Sequence, residues 1–264
     1  MKKQSSSQID ISAALDQPTV LYEADGHAVY WLGNNEESAF RTNVYLIRDG
    51  DVCLLVDPGN RACFDQIKNR VGQILPPESV TGIIVCHQDP DVAASMTDWL
   101  EVSPAMQVFT TPRTQVLLPY YGRSDYAYVD VEENSSLTLP SGAVLYFISA
   151  PFLHFPGAFT TFDVKAGFLF SGDVFASLGV GEKLWSEDFD LLTDNMNLFH
   201  LEYMASNVAA RGFVNRLDGL DIKAILPQHG NLIGSKDAEV ALSWLANLKC
   251  GTDLIYPDVP HDYD

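Results

Sequence analysis

Short apolar runs recur along the whole chain, and most of them are bounded by Gly, Pro, Asp or Asn. Val, Ile, Phe, Tyr and Leu dominate these runs, a composition typical of buried β-strands. The pattern predicts eight strands, which lie at residues 28–31, 42–47, 52–56, 82–86, 108–111, 144–148, 167–171 and 224–226.

Between the groups of strands, apolar residues repeat at steps of three and four, which predicts amphipathic helices. Four such helices are expected: one after Asn60, one from Asp91, one over 195–217 and one that Ser235 caps. The side chains expected on their buried sides are Phe64, Ile67, Val71 and Ile74; Val92, Met96, Trp99 and Leu100; Leu198, Leu201, Ala205, Val208 and Phe213; and Val240, Trp244, Leu245 and Leu248.

Grouped strands with helices inserted between the groups predict two packed sheets with helices outside, an α/β fold of the αββα sandwich type. No linker or charge run divides the chain, so we expect a single domain over 1–264, with loosely held tails at about 1–15 and 257–264. A doubly wound parallel sheet is the alternative, because several strand–loop–helix units occur. The chain contains no GxGxxG or GxxxxGK[ST] motif, which removes most support for dinucleotide and P-loop chemistry.

The composition narrows the class of function. The 264 residues include 35 acidic and 16 basic side chains, and the formal net charge of −19 argues against binding to nucleic acid or to an anionic membrane. No apolar run is long enough to span a bilayer, and the first residues lack the apolar stretch of a signal peptide, so we expect a cytoplasmic protein. The four cysteines show no CxxC spacing and are expected to be reduced thiols, mostly in the core: Cys53, Cys63, Cys86 and Cys250.

Histidines and aspartates follow several of the predicted strands, at the point where each strand ends. Strand ends in α/β folds are where side chains converge on a ligand. Three of the six histidines lie at such places, together with three aspartates, and this agreement favours a metal site over packed histidines. These residues are His87, Asp89, Asp91, His154, Asp173 and His229.

The densest unit is His87-Gln88-Asp89-Pro90-Asp91. Alternate residues of an extended segment point the same way, so its imidazole and two carboxylates can face one pocket. Taken alone, the unit leaves two interpretations open, since Asp91 could cap a helix and Asp89 could be a turn residue. With the other strand-end residues and solvent, it supplies the roughly eight to ten ligand contacts that two divalent ions need.

From about residue 28 to 248 the chain resembles the metallo-β-lactamase fold. The first motif of that fold, His-x-His-x-Asp-His in its zinc hydrolases, is here His87-x-Asp89-x-Asp91-Val92. The carboxylate in the second position resembles the diiron branch, which comprises the flavodiiron proteins and the oxygen-binding diiron proteins. Three further segments carry the resemblance: RTNVYLI at 41–47, APFLHFP at 150–156 and LFSGDVF at 169–175.

The resemblance implies a role for each residue. It implies one metal on His87, Asp89 and His154, a second on Asp91 and His229, and Asp173 as the bridge. Asp57 in LLVDPG would support the ligand loops from behind, although a plain turn residue before a helix is an equal alternative. Val92 cannot bind a metal, so the second ion is expected to keep an open position. Asp89 is shorter than the Glu usual in the diiron branch, so its loop must come closer to the metal.

Ligand charge favours redox chemistry over hydrolysis. Two divalent ions carry +4 and three aspartates carry −3, which lowers the Lewis acidity of the pair and stabilises more oxidised metal. Oxygen ligands also suit iron or manganese better than zinc. We therefore expect two iron ions in a non-haem diiron protein that binds O₂ or NO.

Two interpretations of that site stay open. Only 35 residues follow His229, too few for the flavodoxin-like domain of flavodiiron enzymes, so we expect no flavin on this chain. The protein is then an oxygen sensor or carrier, with a signalling protein as partner, or a reductase core fed by a separate electron-transfer protein. A dinuclear zinc or manganese hydrolase is the alternative from a different class. The resemblance also implies a homodimer.

Other candidates have weaker support. His200 and Tyr203 lie on the third predicted helix, where one of them could donate a hydrogen bond to bound O₂, although packing is the commoner role. His27 and His261 have no supporting neighbours and are assigned no function. An aromatic-rich stretch could be a lid or a docking surface, with packing as the default interpretation; it contains Tyr120, Tyr121, Tyr126 and Tyr128.

Overall fold

The computed structural model describes residues 15–33, 42–178 and 183–259. Its described strands form two sheets of seven and six strands. They are β1 Thr19–Ala24, β2 His27–Trp31, β3 Tyr45–Asp49, β4 Val52–Val56, β5 Gly82–Ile84, β6 Gln107–Thr110, β7 Ala127–Asp130, β8 Ser136–Thr138, β9 Val144–Ser149, β10 Phe159–Asp163, β11 Phe168–Gly172, β12 Ala224–Pro227 and β13 Ile233–Gly234.

The first sheet follows chain order from β1 to β7. Its first four strands are antiparallel hairpin neighbours, and β4 to β7 run parallel. The second sheet has the order β13-β12-β11-β10-β9-β8, with a single parallel pair between β11 and β12.

Helices connect the strands on both sides. They are α1 Phe64–Val71, α2 Pro90–Ala93, α3 Met96–Val102, α4 Pro112–Gln115, α5 Phe189–Tyr203, α6 Asn207–Arg216, α7 Ser235–Asn247 and α8 Thr252–Ile255. Within the described ranges, none of them has the length and apolar character that a bilayer crossing requires.

Alternation along the strands builds the layers, because successive side chains point to opposite faces of a sheet. Trp31 and Tyr45 face the second sheet, where the Tyr45 ring meets Phe170 edge-on at 5.3 Å. The alternate residues, Tyr30 and Leu46 among them, face outward and pack with the buried sides of α1 and α3. Helices α5, α6 and α7 cover the outer face of the second sheet. The αββα sandwich is thus confirmed, and the doubly wound alternative is wrong.

The third predicted helix differs most from the structure. It begins earlier, at Phe189, and is split into α5 and α6. The split occurs because Met204 is extended and the Ser206 side chain accepts a hydrogen bond from Ala209 N, which starts a new helix. The single apolar face predicted across this break is therefore wrong in part, since Leu198 and Val208 are 62 % and 53 % exposed.

Other boundaries shift by less. The second predicted helix is two short ones, α2 and α3. Ser235 is the first residue of α7 instead of its cap, which is Gly234, and Val240 on that helix is exposed. The sequence pattern missed five strands, β1, β7, β8, β10 and β13. Strand β10, FTTFD, is buried along its whole length and therefore shows no alternation of polar and apolar residues.

The four cysteines are buried and free, as expected. The extent of the single domain stays a prediction, since residues 1–14 and 260–264 of the expected tails, and with them His261, lie outside the described residues.

Candidate metal centre

The six strand-end residues come together at one end of the sandwich. The loop after β5 carries three of them, and the loops after β9, β11 and β12 carry one each. Four side chains, those of His87, Asp89, His154 and Asp173, each place one donor atom within 4.8 Å of the others.

In this four-residue cluster, Asp173 Oδ2 lies 3.2 Å from Nε2 of both His87 and His154. Asp89 Oδ2 lies 3.3 Å from His154 Nε2 and 3.7 Å from His87 Nε2. Its short arm therefore reaches the cluster. An ion with bonds of about 2.0–2.2 Å separates neighbouring donors by roughly 3.0–3.5 Å, so these spacings fit a divalent metal.

A second group lies beside the first. His229 Nε2 is 3.0 Å from Asp91 Oδ2 and 3.8 Å from Asp173 Oδ1. The two oxygens of Asp173 thus face different groups, the arrangement that a bridging carboxylate needs. Asp91 is 44 % exposed and Val92, its neighbour, brings no donor, so this group opens toward solvent.

Two buried polar atoms of these groups support cation binding here. His87 Nε2 and Asp173 Oδ1 have no hydrogen-bond partner, although polar atoms buried this deeply are normally paired. His87 Nε2 faces the carboxylates of the four-residue cluster, and Asp173 Oδ1 faces His229. The residues present therefore fit a pair of metal ions with Asp173 between them.

The electrostatics of these groups are strongly coupled. Burial disfavours the charged imidazole of His154, but hydrogen bonds to Asp173 and Asp89 outweigh it and raise the pKa of His154 to about 9. Burial likewise opposes ionisation of Asp173, yet the surrounding histidines hold the pKa of its carboxyl well below the ordinary value. Since a metal ligand must be unprotonated, a bound cation would displace protons from the histidines.

Backbone contacts hold the first ligand loop from behind. Asp57, buried in a left-handed conformation at φ 50°, accepts a hydrogen bond from Cys86 N at 2.9 Å. Burial raises the pKa of Asp57 to about 6. This contact with the residue before His87 is consistent with the supporting role expected for Asp57.

Two residues that the sequence analysis did not assign to the site orient Asp89. Gln88 Nε2 donates to Asp89 Oδ1 at 2.8 Å, which leaves Oδ2 free to face the histidines. Tyr121 donates its hydroxyl proton to the Gln88 carbonyl at 2.5 Å. The aromatic-rich stretch thus contacts the ligand loop through Tyr121, while Tyr126 packs on the core and Tyr120 is 86 % exposed.

The loop that carries His229 is fastened by Asn43, which is fully buried. Its Nδ2 donates to the carbonyls of Pro227 and Gly230 at 2.9 Å each, and its Oδ1 accepts from Trp31 Nε1 at 2.8 Å. In the sequence, Asn43 stands only within the segment RTNVYLI, and a lone amide has no signature without its partners.

His200 cannot serve the pocket role suggested for it. Its Nε2 accepts from Phe175 N at 2.9 Å, and its Nδ1 donates to the Met196 carbonyl at 2.9 Å. Burial lowers the pKa of His200 to about 4, so the ring stays neutral. With both nitrogens engaged by backbone, His200 fixes the turn that follows Asp173 and has no donor for a ligand.

Tyr203 lies at the rim of the site. Its ring stacks on Phe199 at 4.6 Å, and both rings meet His154 edge-on, at 5.8 and 6.0 Å. Phe199 and Tyr203 thus form an aromatic wall beside His154, and Tyr203 is 54 % exposed. A contact between the Tyr203 hydroxyl and a bound molecule stays a prediction.

Comparison with known proteins shows the family to which the chain is similar. Residues 40–230 match the model of the family described as ODP family beta lactamase. Among solved structures, one described as the peroxy diiron species of chemotaxis sensor ODP is 30 % identical, with a TM-score of 0.80 over 91 % of this chain and 99 % of that one. The apo state of chemotaxis sensor ODP from T. denticola is also 30 % identical, with a TM-score of 0.81 over 91 % and 98 %.

Curated relatives include larger enzymes. A nitric oxide reductase of Moorella thermoacetica is 27 % identical over 84 % of this chain and 59 % of its own length. A diflavin flavoprotein A 1 of Synechocystis is 25 % identical over 72 % of this chain and 34 % of its own length. The chain therefore spans between about a third and three fifths of these two relatives.

Proposed function

The chain belongs to the family described as ODP family beta lactamase, and from that premise we propose that it is a non-haem diiron protein that binds O₂. The observation that carries the proposal is the position of Asp173, whose two oxygens face the four-residue cluster on one side and His229 on the other. His87, Asp89 and His154 would hold one ion, and Asp91 and His229 the other.

Iron is favoured by the donor set. Three of the six donors are carboxylates, and hard oxygen ligands suit iron better than zinc. When bound, two ferrous ions supply the electrons and the open position that O₂ requires. The diiron species in the related sensor structure supports the same choice.

The chain's own residues explain how a small molecule would be admitted. Phe199 and Tyr203 cover His154 and exclude water on that side. Asp89 and Asp91 are partly exposed, so a small molecule in solvent can reach their carboxylates. Gln88 and Tyr121 hold Asp89 in place during such exchange.

Binding is favoured over reduction. The sensor structure is 30 % identical to this chain with a TM-score of 0.80, whereas the nitric oxide reductase is 27 % identical. In this proposal a separate signalling protein reads the state of the site. Reduction of O₂ or NO would instead require a continuing supply of electrons to the site.

The test is anaerobic reconstitution with ferrous iron, reduction, and addition of O₂ under optical spectroscopy. We expect about two iron ions per chain and a charge-transfer band that persists. If the site instead returned rapidly to its oxidised state and continued to consume reductant, the protein would be a reductase and the sensor proposal would be wrong. Two tightly bound zinc ions, no iron and esterase activity would overturn the proposal in favour of the hydrolase.

A further inference from the structure

Cys86 immediately precedes His87, and its sulfur lies 3.0 Å from His87 Nδ1. The residue is held on both sides of its backbone, since its N–H donates to Asp57 and its carbonyl accepts from Phe159 N at 3.2 Å. These bonds fix the backbone from which the Cys86 side chain leaves. The thiol faces Nδ1 of His87, the ring nitrogen that points away from the cluster.

The space for this sulfur is left by a glycine. A Cβ atom on Gly172 would lie 2.7 Å from Cys86 Sγ, closer than such atoms approach. Gly172 directly precedes Asp173, so the thiol sits between the backbones that carry two of the cluster residues. A side chain longer than Cys or Ser at position 86 would press on this strand.

The tautomer of His87 follows from its neighbours. Nε2 faces Asp173 and Asp89, so Nε2 is the atom that would bind a cation and must then be unprotonated. The proton of the neutral ring is then on Nδ1, where the nearest acceptor is Cys86 Sγ. A histidine that binds a metal normally donates this second N–H to an orienting partner.

We propose that Cys86 is the positioning residue of the metal centre: its sulfur accepts the Nδ1–H of His87 and thereby aims Nε2 at Asp173 and Asp89. The inference rests on the proposed function in taking the cluster to bind metal. A thiol is a weak acceptor, weaker than the carboxylates and carbonyls that usually fill this place. Cys86 therefore orients the ring without adding negative charge to a site that already holds three carboxylates.

The test compares Cys86→Ala with Cys86→Ser in competition titrations with Co²⁺ and Zn²⁺. Cys86→Ala removes the acceptor, and we expect cation affinity to fall about tenfold or more. Cys86→Ser keeps an acceptor and should keep most of the affinity. In the cobalt protein, the exchangeable Nδ1–H resonance of His87 should persist in Cys86→Ser and exchange rapidly in Cys86→Ala.

If Cys86 served packing alone, Cys86→Ser would be the more damaging variant. A buried hydroxyl without a hydrogen-bond partner costs more free energy than a buried methyl group. Weaker cation binding by Cys86→Ser than by Cys86→Ala, or equal loss in both, would overturn the inference. Cys53 has the same 4 % exposure as Cys86, so Cys53→Ala and Cys53→Ser are the matched controls and should bind cations like the parent protein. Thermal unfolding of each variant separates folding from binding.

Failure of this inference is distinguishable from failure of the proposed function. If the cobalt affinities follow the expected order and the iron protein does not react with O₂, only the function is wrong. If O₂ binds normally and the two Cys86 variants bind cobalt alike, only the role of Cys86 is wrong.

Discussion

His27 Nε2 lies 2.6 Å from Asp163 Oδ2, and this contact joins the first sheet to the second. The other nitrogen of the ring, Nδ1, lies 2.8 Å from Asp49 Oδ2. All three side chains are fully buried. Asp163 ends β10, the strand whose first residue contacts Cys86, so this link lies at the opposite end of the sandwich from the metal centre.

Removal of the imidazole should destabilise the fold and spare the metal centre. His27→Leu removes the positive charge between two buried carboxylates, and we expect a loss of about 3–5 kcal/mol in the free energy of unfolding. Denaturant titration measures this loss. In a double-mutant cycle with Asp163→Asn, the double variant should lose less than the two single variants combined. Strictly additive losses would mean that the two groups do not interact.

The same link predicts how stability depends on pH. Burial disfavours protonated His27, but hydrogen bonds and charge from Asp163 and Asp49 outweigh it and raise the pKa of His27. A raised pKa gives stability that is complete below the unfolded value of about 6.5 and is lost as pH rises through the folded value. Burial opposes ionisation of Asp49, yet hydrogen bonds from Ser141 and His27 lower its pKa. The stability that ionised Asp49 contributes is complete above about pH 3.9 and is lost as pH falls through its lowered pKa in the folded protein.

The free-energy difference between the parent protein and His27→Leu should therefore be greatest between about pH 4 and 6.5. Unfolding measured at several pH values checks this, and the difference removes the contributions of all other groups. A difference that increases above pH 6.5 would contradict the assignment of a charged His27.

His27 also shows where sequence reasoning stops. Nothing next to His27 in the chain suggests a partner, because Asp49 and Asp163 are 22 and 136 residues away. The positions of the six candidate ligands could be predicted, since each follows a strand end and strand ends meet at one edge of a sheet. The contacts that hold the ligands, those of Cys86, Gln88 and Asn43, depend on distances that no local pattern contains.

His200 should matter for the turn after Asp173 and not for ligand binding itself. His200→Phe leaves the Phe175 N–H buried without an acceptor, which costs about 1–3 kcal/mol. His200→Gln keeps an acceptor and should lose less. Thermal or denaturant unfolding of the metal-free protein checks this order, and equal stability of His200→Phe and the parent protein would refute it.

Asp173 should be required for binding two ions per chain. Asp173→Ala removes the carboxylate that faces both groups, so the variant should bind fewer than two ions per chain, and at least one site should be lost. Metal analysis after dialysis against a weak chelator measures the stoichiometry. Asp221→Ala, which removes an exposed acid of the same type, is the control and should bind like the parent protein. Retention of both ions by Asp173→Ala would reject the ligand assignment.

A substitution at Asn43 should weaken binding of one of the two proposed ions and leave binding of the other unchanged. Its amide fastens the carbonyls on either side of His229, at Pro227 and Gly230. Asn43→Asp keeps the shape but cannot donate, so the His229 loop loses both bonds and faces a buried carboxylate. Affinity for the ion on Asp91 and His229 should fall while the four-residue cluster still binds, which makes the stoichiometry approach one.

Stepwise titration with Co²⁺ distinguishes these outcomes, because the two binding steps give separate optical changes. Asn134→Asp alters an exposed amide of the same kind, whose Nδ2 donates to the Asp130 carbonyl, and serves as the matched control. If Asn43→Asp weakened both cobalt-binding steps equally, the substitution would act on the stability of the whole fold. Binding of the second ion would then not depend on how Asn43 holds the His229 loop.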